Sequence, residues 1–379
     1  MRTASPRHVR PAPRRRTWLW SEAAVVAVAF ALFVAGPSLR APLPTDTQQQ
    51  QQATVPASDQ SVTSAPEDDA APSFTGSTTS SFINQVGEGR KLLGVAPHGI
   101  KTSLASLNTF AQLIGRQPNV VEFYQGFTES FDAPVAAGAS RTGALPLDSW
   151  GPAGASLADV ASGRDDAYLT MFAGQVRDYG KEIALTVGHE MNAPWSDWWG
   201  NGPADAPTFV QAWRHIHDLF AQQGATNVIW VWTVNIEAGG AASPVPYYPG
   251  DGYVDWIGVD GYFHDGLPGT FPSLFGPTLS DLRAHYRLPI LVVETGALDY
   301  AAERPAEIQS VFDATLASPD LIGFIWFDYD LQGTEGVDWQ LDDDQPSLAV
   351  YRRDATASPF ALPAPVNADI APFYPGSTS

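Results

Sequence analysis

With 379 residues, 44% of them apolar and 11% aromatic, the chain has material for one large domain with a sizeable core. It carries no cysteine, which excludes a disulfide framework, a thiolate metal site and a cysteine nucleophile. The net charge is −20, and after residue 80 only 14 Lys and Arg stand against 35 Asp and Glu, which argues against nucleic acid or anionic lipid as a partner of the folded part and suits a neutral polymer.

Residues 1–17 form a basic tail, with Arg2, Arg7, Arg10, Arg14, Arg15 and Arg16, and from Trp18 to Leu39 the chain turns apolar. The polar breaks, Ser21-Glu22 and Ser38, lie near the ends of that run, whose length matches the roughly 20 residues needed to span a bilayer. A basic flank before an apolar run predicts a transmembrane or signal-anchor segment over 18–39, with residues 1–17 on the cytoplasmic side. Residues 40–81 are mostly Pro, Ser, Thr, Ala and Gln, including Gln48 to Gln52, and cannot bury enough surface to fold. They predict a disordered linker that holds the following domain outside the cell, or a secreted domain if the segment is cleaved.

Eight short apolar runs follow: Leu92–Ala96, Val120–Tyr124, Ala144–Leu147, Ile183–Val187, Val228–Val234, Trp256–Val259, Ile290–Val293 and Gly323–Phe327. Helical patterns fill the gaps, for example Asp166 to Tyr179 and Phe209 to Phe220. Strand and helix alternating in this way predict an α/β fold, a (β/α)8 TIM barrel over residues 82–358, followed by a Pro-rich tail over 359–379.

The active residues of such barrels lie at the C-terminal ends of the strands. There stand His98, Glu122 to Gln125, Trp150, His189-Glu190, Trp232 to Asn235, Asp260 to Tyr262, Glu294 and Trp326 to Asp328. Glu190 follows the fourth strand and Glu294 ends the seventh, 104 residues later. Two carboxyls facing one cleft are what glycosidic hydrolysis needs, one as general acid/base and one as nucleophile. Glu190 is the expected acid/base, kept protonated by burial against Trp195 and Trp198; Glu294 is the expected nucleophile, kept ionised by donors such as Tyr262. Tryptophans offer flat apolar faces for sugar rings, and Trp195, Trp198, Trp199, Trp232, Trp326 and Trp339 are candidates, with Trp326 expected to floor the site. Trp230 and Trp232 share one face of their strand, so core packing is an equal alternative for them. His98, His189 and Asn192 are candidate hydrogen-bonding partners of sugar hydroxyls.

No metal is expected. His189-Glu190 lacks a second His four positions on, where Ala193 stands, so the zinc-protease motif is absent; Asp342-Asp343-Asp344 reads as a solvated acidic turn. His215 and His217 lie on different faces of one helix.

The motif His189-Glu190-Met191-Asn192 with Trp195 and Trp198-Trp199-Gly200, then Glu294-Thr295-Gly296 and Trp326-Phe327-Asp328, resembles glycoside hydrolase family 26 over about residues 82 to 355. The resemblance implies a retaining barrel hydrolase with Glu190 as acid/base and Glu294 as nucleophile. It also implies that His98, His189, Trp195, Tyr262 and Trp326 surround the cleaved sugar, that no cofactor takes part, and that the most common substrate is β-1,4-mannan. Mixed-linkage β-glucan and β-1,3-xylan are alternatives, and a noncatalytic glycan-binding barrel is the alternative of another class. Ala193-Pro194 stands where the mannanase motif commonly has Gly before the Trp. A β-linked polysaccharide partner, a membrane contact through the anchor alone and a monomeric state complete the expectation.

Overall fold

The computed structural model describes residues 90–151, 155–194, 203–264, 266–298, 302–333, 336–341 and 344–360. The expected anchor over 18–39, the linker over 40–81, Trp195, Trp198, Trp199, Asp342 and Asp343 lie outside the described residues, as does the tail beyond 360. Among the described residues no helix is long and apolar enough to cross a membrane.

Eight parallel strands close into a barrel in chain order: β1 (Leu92–Pro97), β2 (Val120–Gly126), β3 (Leu145–Gly151), β4 (Ile183–Val187), β5 (Val228–Asn235), β6 (Trp256–Asp260), β7 (Ile290–Thr295) and β8 (Leu321–Asp328). All eight expected runs are strands, and the barrel closes through a six-residue register of β1 on β8, from Leu92 beside Gly323 to Pro97 beside Asp328. Helices α1 (Ala105–Ile114), α2 (Ala133–Arg141), α3 (Leu157–Ala161), α4 (Asp166–Tyr179), α5 (Ala206–Gln222), α6 (Phe271–Leu274), α7 (Gly276–His285), α8 (Arg304–Ala317) and α9 (Gln345–Ala355) connect or follow the strands.

Helix α5 illustrates how the outer ring is specified. Asp205 caps it by accepting the Thr208 N–H at 3.1 Å, a contact worth about 1 kcal/mol. Phe209, Ala212, Trp213, Ile216, Leu219 and Phe220 recur at helical spacing and are all buried, with Trp213 and Phe220 edge-on to Trp230 of β5. Helix α4 ends at Gly180, whose φ of +70° takes the left-handed turn that stops it.

Alternation along the strands divides two cores. Leu92, Ala96, Val120, Tyr124, Leu145, Leu147, Ala184, Ile229, Val231, Trp256, Leu291, Val293, Ile325 and Phe327 fill the barrel interior. Their neighbours, such as Leu93, Val121, Leu185, Trp230, Trp232 and Trp326, face the helices. One glycine shows how tight the interior is: a Cβ on Gly258 would sit 2.3 Å from Thr233 Oγ1 and 2.8 Å from Val293 Cγ2. The packed barrel reaches slightly further than residue 358, because Phe360 is buried edge-on to Phe312 and Pro359 accepts the Lys91 N–H at 2.7 Å.

Candidate active site

At the C-terminal mouth of the barrel the chain leaves β4 through a strained turn. Gly188 and Glu190 both have φ of +57°, and Glu190 is one of two described non-glycine residues with positive φ. A left-handed glutamate costs energy that neighbours must supply. The Gly188 N–H donates to Trp150 O and the Glu190 N–H to Thr233 O, each at 3.1 Å, so β3 and β5 hold the turn from both sides.

Glu294 reaches the mouth by a different device. Simple alternation from Leu291 and Val293, both inside, would send Glu294 outward to the helices. The registers of β7 against β6 and β8 both slip beside Val293 and Glu294, and this bulge turns the carboxylate inward. There its Oε1 accepts the Tyr124 hydroxyl at 2.9 Å and its Oε2 accepts the Tyr262 hydroxyl.

Glu190, Asp260 and Glu294 each place one carboxylate oxygen within 4.8 Å of the others. Glu190 and Glu294 are only 4% and 7% exposed, and Asp260 is fully buried. Burial above all, then the charge of Glu190, raises the Glu294 pKa to about 7, against the lowering effect of its two tyrosine donors. The tyrosines are present as expected, yet desolvation outweighs them. Among the described residues Asp260 finds no side-chain hydrogen-bond partner within 3.5 Å, and burial beside Glu294 and Glu190 holds its pKa well above the ordinary value. Deeper in the barrel Glu122 is raised in the same way, by burial first and by Glu294 second, while Ser149 donates to its Oε1 at 2.5 Å. Burial pulls His189 down to about 4, so its imidazole is neutral at ordinary pH.

Aromatic rings surround the carboxyls. Phe327 and the exposed His98 both stack on Tyr329, at 4.4 Å and 4.9 Å, and Tyr262 lies edge-on to Phe327 at 5.6 Å. Trp339 packs 4.9 Å from Tyr262. His98, His189, Glu190, Tyr262 and Glu294 are thus brought to one mouth.

Two expected residues are placed elsewhere. Trp326 does not floor the site: it faces the helix layer, edge-on to Tyr351 at 5.7 Å, and its Nε1 donates to Trp339 O at 3.1 Å. Phe327, one position on and of opposite parity, takes the interior place. Asn192 does not present its amide to a ligand, because its Oδ1 accepts the Asn235 N–H and its Nδ2 donates to Asn235 O and Ala242 O, all at 2.9 Å. Trp230 and Trp232 are outer-core residues, Trp232 packing edge-on to Tyr248 and Tyr286. Tyr124, Asn235 and Asp260 are site residues that residue type alone did not single out; inward parity on β2, β5 and β6 is the signal that marks them.

Known proteins share parts of this sequence and this fold. The profile of glycosyl hydrolase family 26 matches residues 170–274, the stretch holding His189-Glu190 and Asp260 to Tyr262. Endoglucanase H of Acetivibrio thermocellus is 29% identical over 267 residues, 67% of this chain and 29% of that protein. Mannan endo-1,4-beta-mannosidase A and B of Caldalkalibacillus mannanilyticus is 30% identical over 98 residues, 24% of this chain and 18% of that protein. The chain therefore spans less than a third of the length of these relatives. A β-mannanase from a symbiotic protist of the termite Reticulitermes speratus superposes with a TM-score of 0.54 at 21% identity, covering 73% of this chain and 90% of its own. Bacillus subtilis mannanase BCman does so at 0.52 and 19%, covering 69% and 85%. At these identities the superpositions speak for the fold alone. Over residues 170–274 the barrel of this chain is similar to glycosyl hydrolase family 26.

Proposed function

We propose that the barrel is a retaining endo-β-glycanase that cleaves β-1,4-mannan, with Glu190 as acid/base and Glu294 as nucleophile. The observation that carries this reading is the approach of the two carboxylates to within 4.8 Å in a buried mouth. Retention needs carboxyls about 5–5.5 Å apart, whereas inversion needs about 6.5–9.5 Å to admit a water between them. In the first half of the reaction a Glu294 oxygen bonds to the anomeric carbon, the glycosidic C–O bond breaks, and the proton of Glu190 passes to the leaving oxygen. In the second, water bonds to the same carbon, its proton passes to Glu190, and the bond to Glu294 breaks. Tyr124 and Tyr262 would spread the charge of Glu294 between attack and release, and His98 with the rings of Phe327, Tyr329 and Trp339 would contact the sugar. No cofactor is needed for these steps.

A second substrate, mixed-linkage β-glucan, is favoured by one observation: the relative matched over the longer stretch, 267 residues, is named an endoglucanase. We further propose that the apolar run over 18–39 anchors a monomeric catalytic domain at the outer face of the cell membrane; protease shaving of intact cells, releasing the domain, tests it.

The full chain and its Glu294→Ala variant are to be incubated with mannan, mixed-linkage β-glucan and β-1,3-xylan, with new reducing ends and the anomer first formed as readouts. Cleavage of one polymer by the wild type alone, with the β-anomer first, supports the reading. Binding without cleavage would replace it with a glycan-binding barrel, and the α-anomer first would exclude retention.

A further inference from the structure

The acid/base reading of Glu190 leaves open which of its two oxygens carries the proton. Asn235, the last residue of β5, is 4% exposed, and its Nδ2 donates to Glu190 Oε1. Its backbone is fixed in turn by Asn192, which bonds both the Asn235 N–H and its C=O at 2.9 Å and ties them to Ala242 O. The Glu190 backbone is fixed independently, by its left-handed φ and its bond to Thr233 O. Head and backbone of the glutamate are thus held by β5 through separate contacts.

An amide N–H can sit only on an oxygen lone pair, and in a protonated carboxyl the better acceptor is the carbonyl oxygen. From this contact, and resting on the retaining-hydrolase reading, we infer that Asn235 is a positioning residue that makes Oε1 of Glu190 the carbonyl oxygen and Oε2 the proton-carrying one. The proton given to the leaving oxygen leaves from Oε2, and the proton taken from water returns there. The same donor favours the carboxylate form of Glu190, so its loss makes the acid weaker as well as less well aimed. Asn192, four-square on the Asn235 backbone, is the support of this contact, which gives the Asn of the His189-Glu190-Met191-Asn192 motif a purpose two steps from the sugar.

The test compares the full-length wild type with Asn235→Ala and Asn235→Asp on two aryl glycosides of the glycone that the polymer assay identifies, one with a phenyl and one with a 2,4-dinitrophenyl leaving group. Phenoxide needs the proton of Glu190 to depart and dinitrophenoxide does not. Loss of one hydrogen bond to an ionisable carboxyl predicts a fall of about 10- to 100-fold in kcat/KM for the phenyl substrate. The dinitrophenyl substrate should change by less than about threefold. In Asn235→Ala the basic limb of the phenyl profile should move up by about one pH unit. Asn235→Asp keeps the side-chain shape, and its activity relative to wild type at the same pH should recover toward acid pH as the introduced carboxyl gains a proton and can donate again. Both substitutions leave the Asn192 clamp, which uses only backbone atoms of residue 235. Equal losses on both substrates with an unmoved basic limb would make Asn235 merely structural and overturn the inference. A wild type inactive on every glycan would overturn the hydrolase reading itself and this inference with it, an outcome told apart by the wild-type arm alone.

Discussion

Glu294 is a buried acid whose ionisation works against folding, and replacing it by Gln should expose that cost as a function of pH. Its pKa stands at about 7 in the fold against an ordinary 4.5. At about 1.36 kcal/mol for each pH unit, that difference is worth about 3 kcal/mol. Because the folded value is the higher one, the contribution is fully present below pH 4.5 and is lost as pH rises through about 7. Glu294→Gln cannot ionise and so lacks this slope. It does change the contacts with Tyr124 and Tyr262, since one amide group faces a hydroxyl that had been donating, but that effect is the same at every pH. The measurement is therefore thermal unfolding of wild type and variant from pH 4.5 to 8.5. For a barrel of this size the variant should gain about 6–12 °C relative to wild type between the two ends of the range. A difference in Tm that stays constant with pH would refute the account, because it would mean that Glu294 titrates alike in the folded and unfolded chain.

Tyr262→Phe removes one of the two donors that lower the Glu294 pKa, so the acid limb of kcat/KM should move to higher pH, by about one unit, with a fall in kcat of about tenfold or more. Trp326→Phe loses the bond to Trp339 O and ring volume beneath Tyr351; about 2 kcal/mol of stability should go, measured by urea midpoint, with KM for the polymer unchanged. A raised KM at constant stability would return Trp326 to the cleft. Gly258→Ala places a methyl within contact distance of neither relaxed nor flexible atoms but of Thr233 and Val293 on both adjoining strands, and should cost about 2–3 kcal/mol in the same assay.

Much of the barrel was legible because each strand is a short apolar run bounded by breakers, and period two along such runs assigns most side chains to one core or the other. The same rule also separates right from wrong within the site. On β8 Ile325 and Phe327, with Tyr329 just beyond its end, share the interior and Trp326 does not, so choosing Trp326 by residue type overrode the parity that argued against it. On β2 parity carries Tyr124 inward with Val120, which is how it reaches Glu294, 170 residues away. Asn192 shows a different limit: its motif position marks it as important, but only the fold shows that its partner is the backbone of Asn235 on the next strand.

Glu294 reverses the lesson, and for a physical reason. Strict alternation would have placed it among the helices with Val292, and only the bulge in β7 brings it to the mouth beside Val293. Nothing in Ile290-Leu291-Val292-Val293-Glu294 announces that bulge; it was the chemistry of a second carboxylate, not the strand pattern, that picked the residue. The other carboxylate is likewise delivered by an irregularity, the left-handed Glu190. Both proposed catalytic groups therefore sit where the regular barrel is broken, and each break is held by partners elsewhere in the barrel: Thr233 O and the Asn235 side chain of the adjoining β5 for Glu190, Tyr124 of β2 and Tyr262 just after β6 for Glu294. A regular strand end would offer these side chains to solvent at a pitch set by the barrel; the two breaks instead turn them toward one another, and the burial that follows is the largest cause of the rise of the Glu294 pKa to about 7.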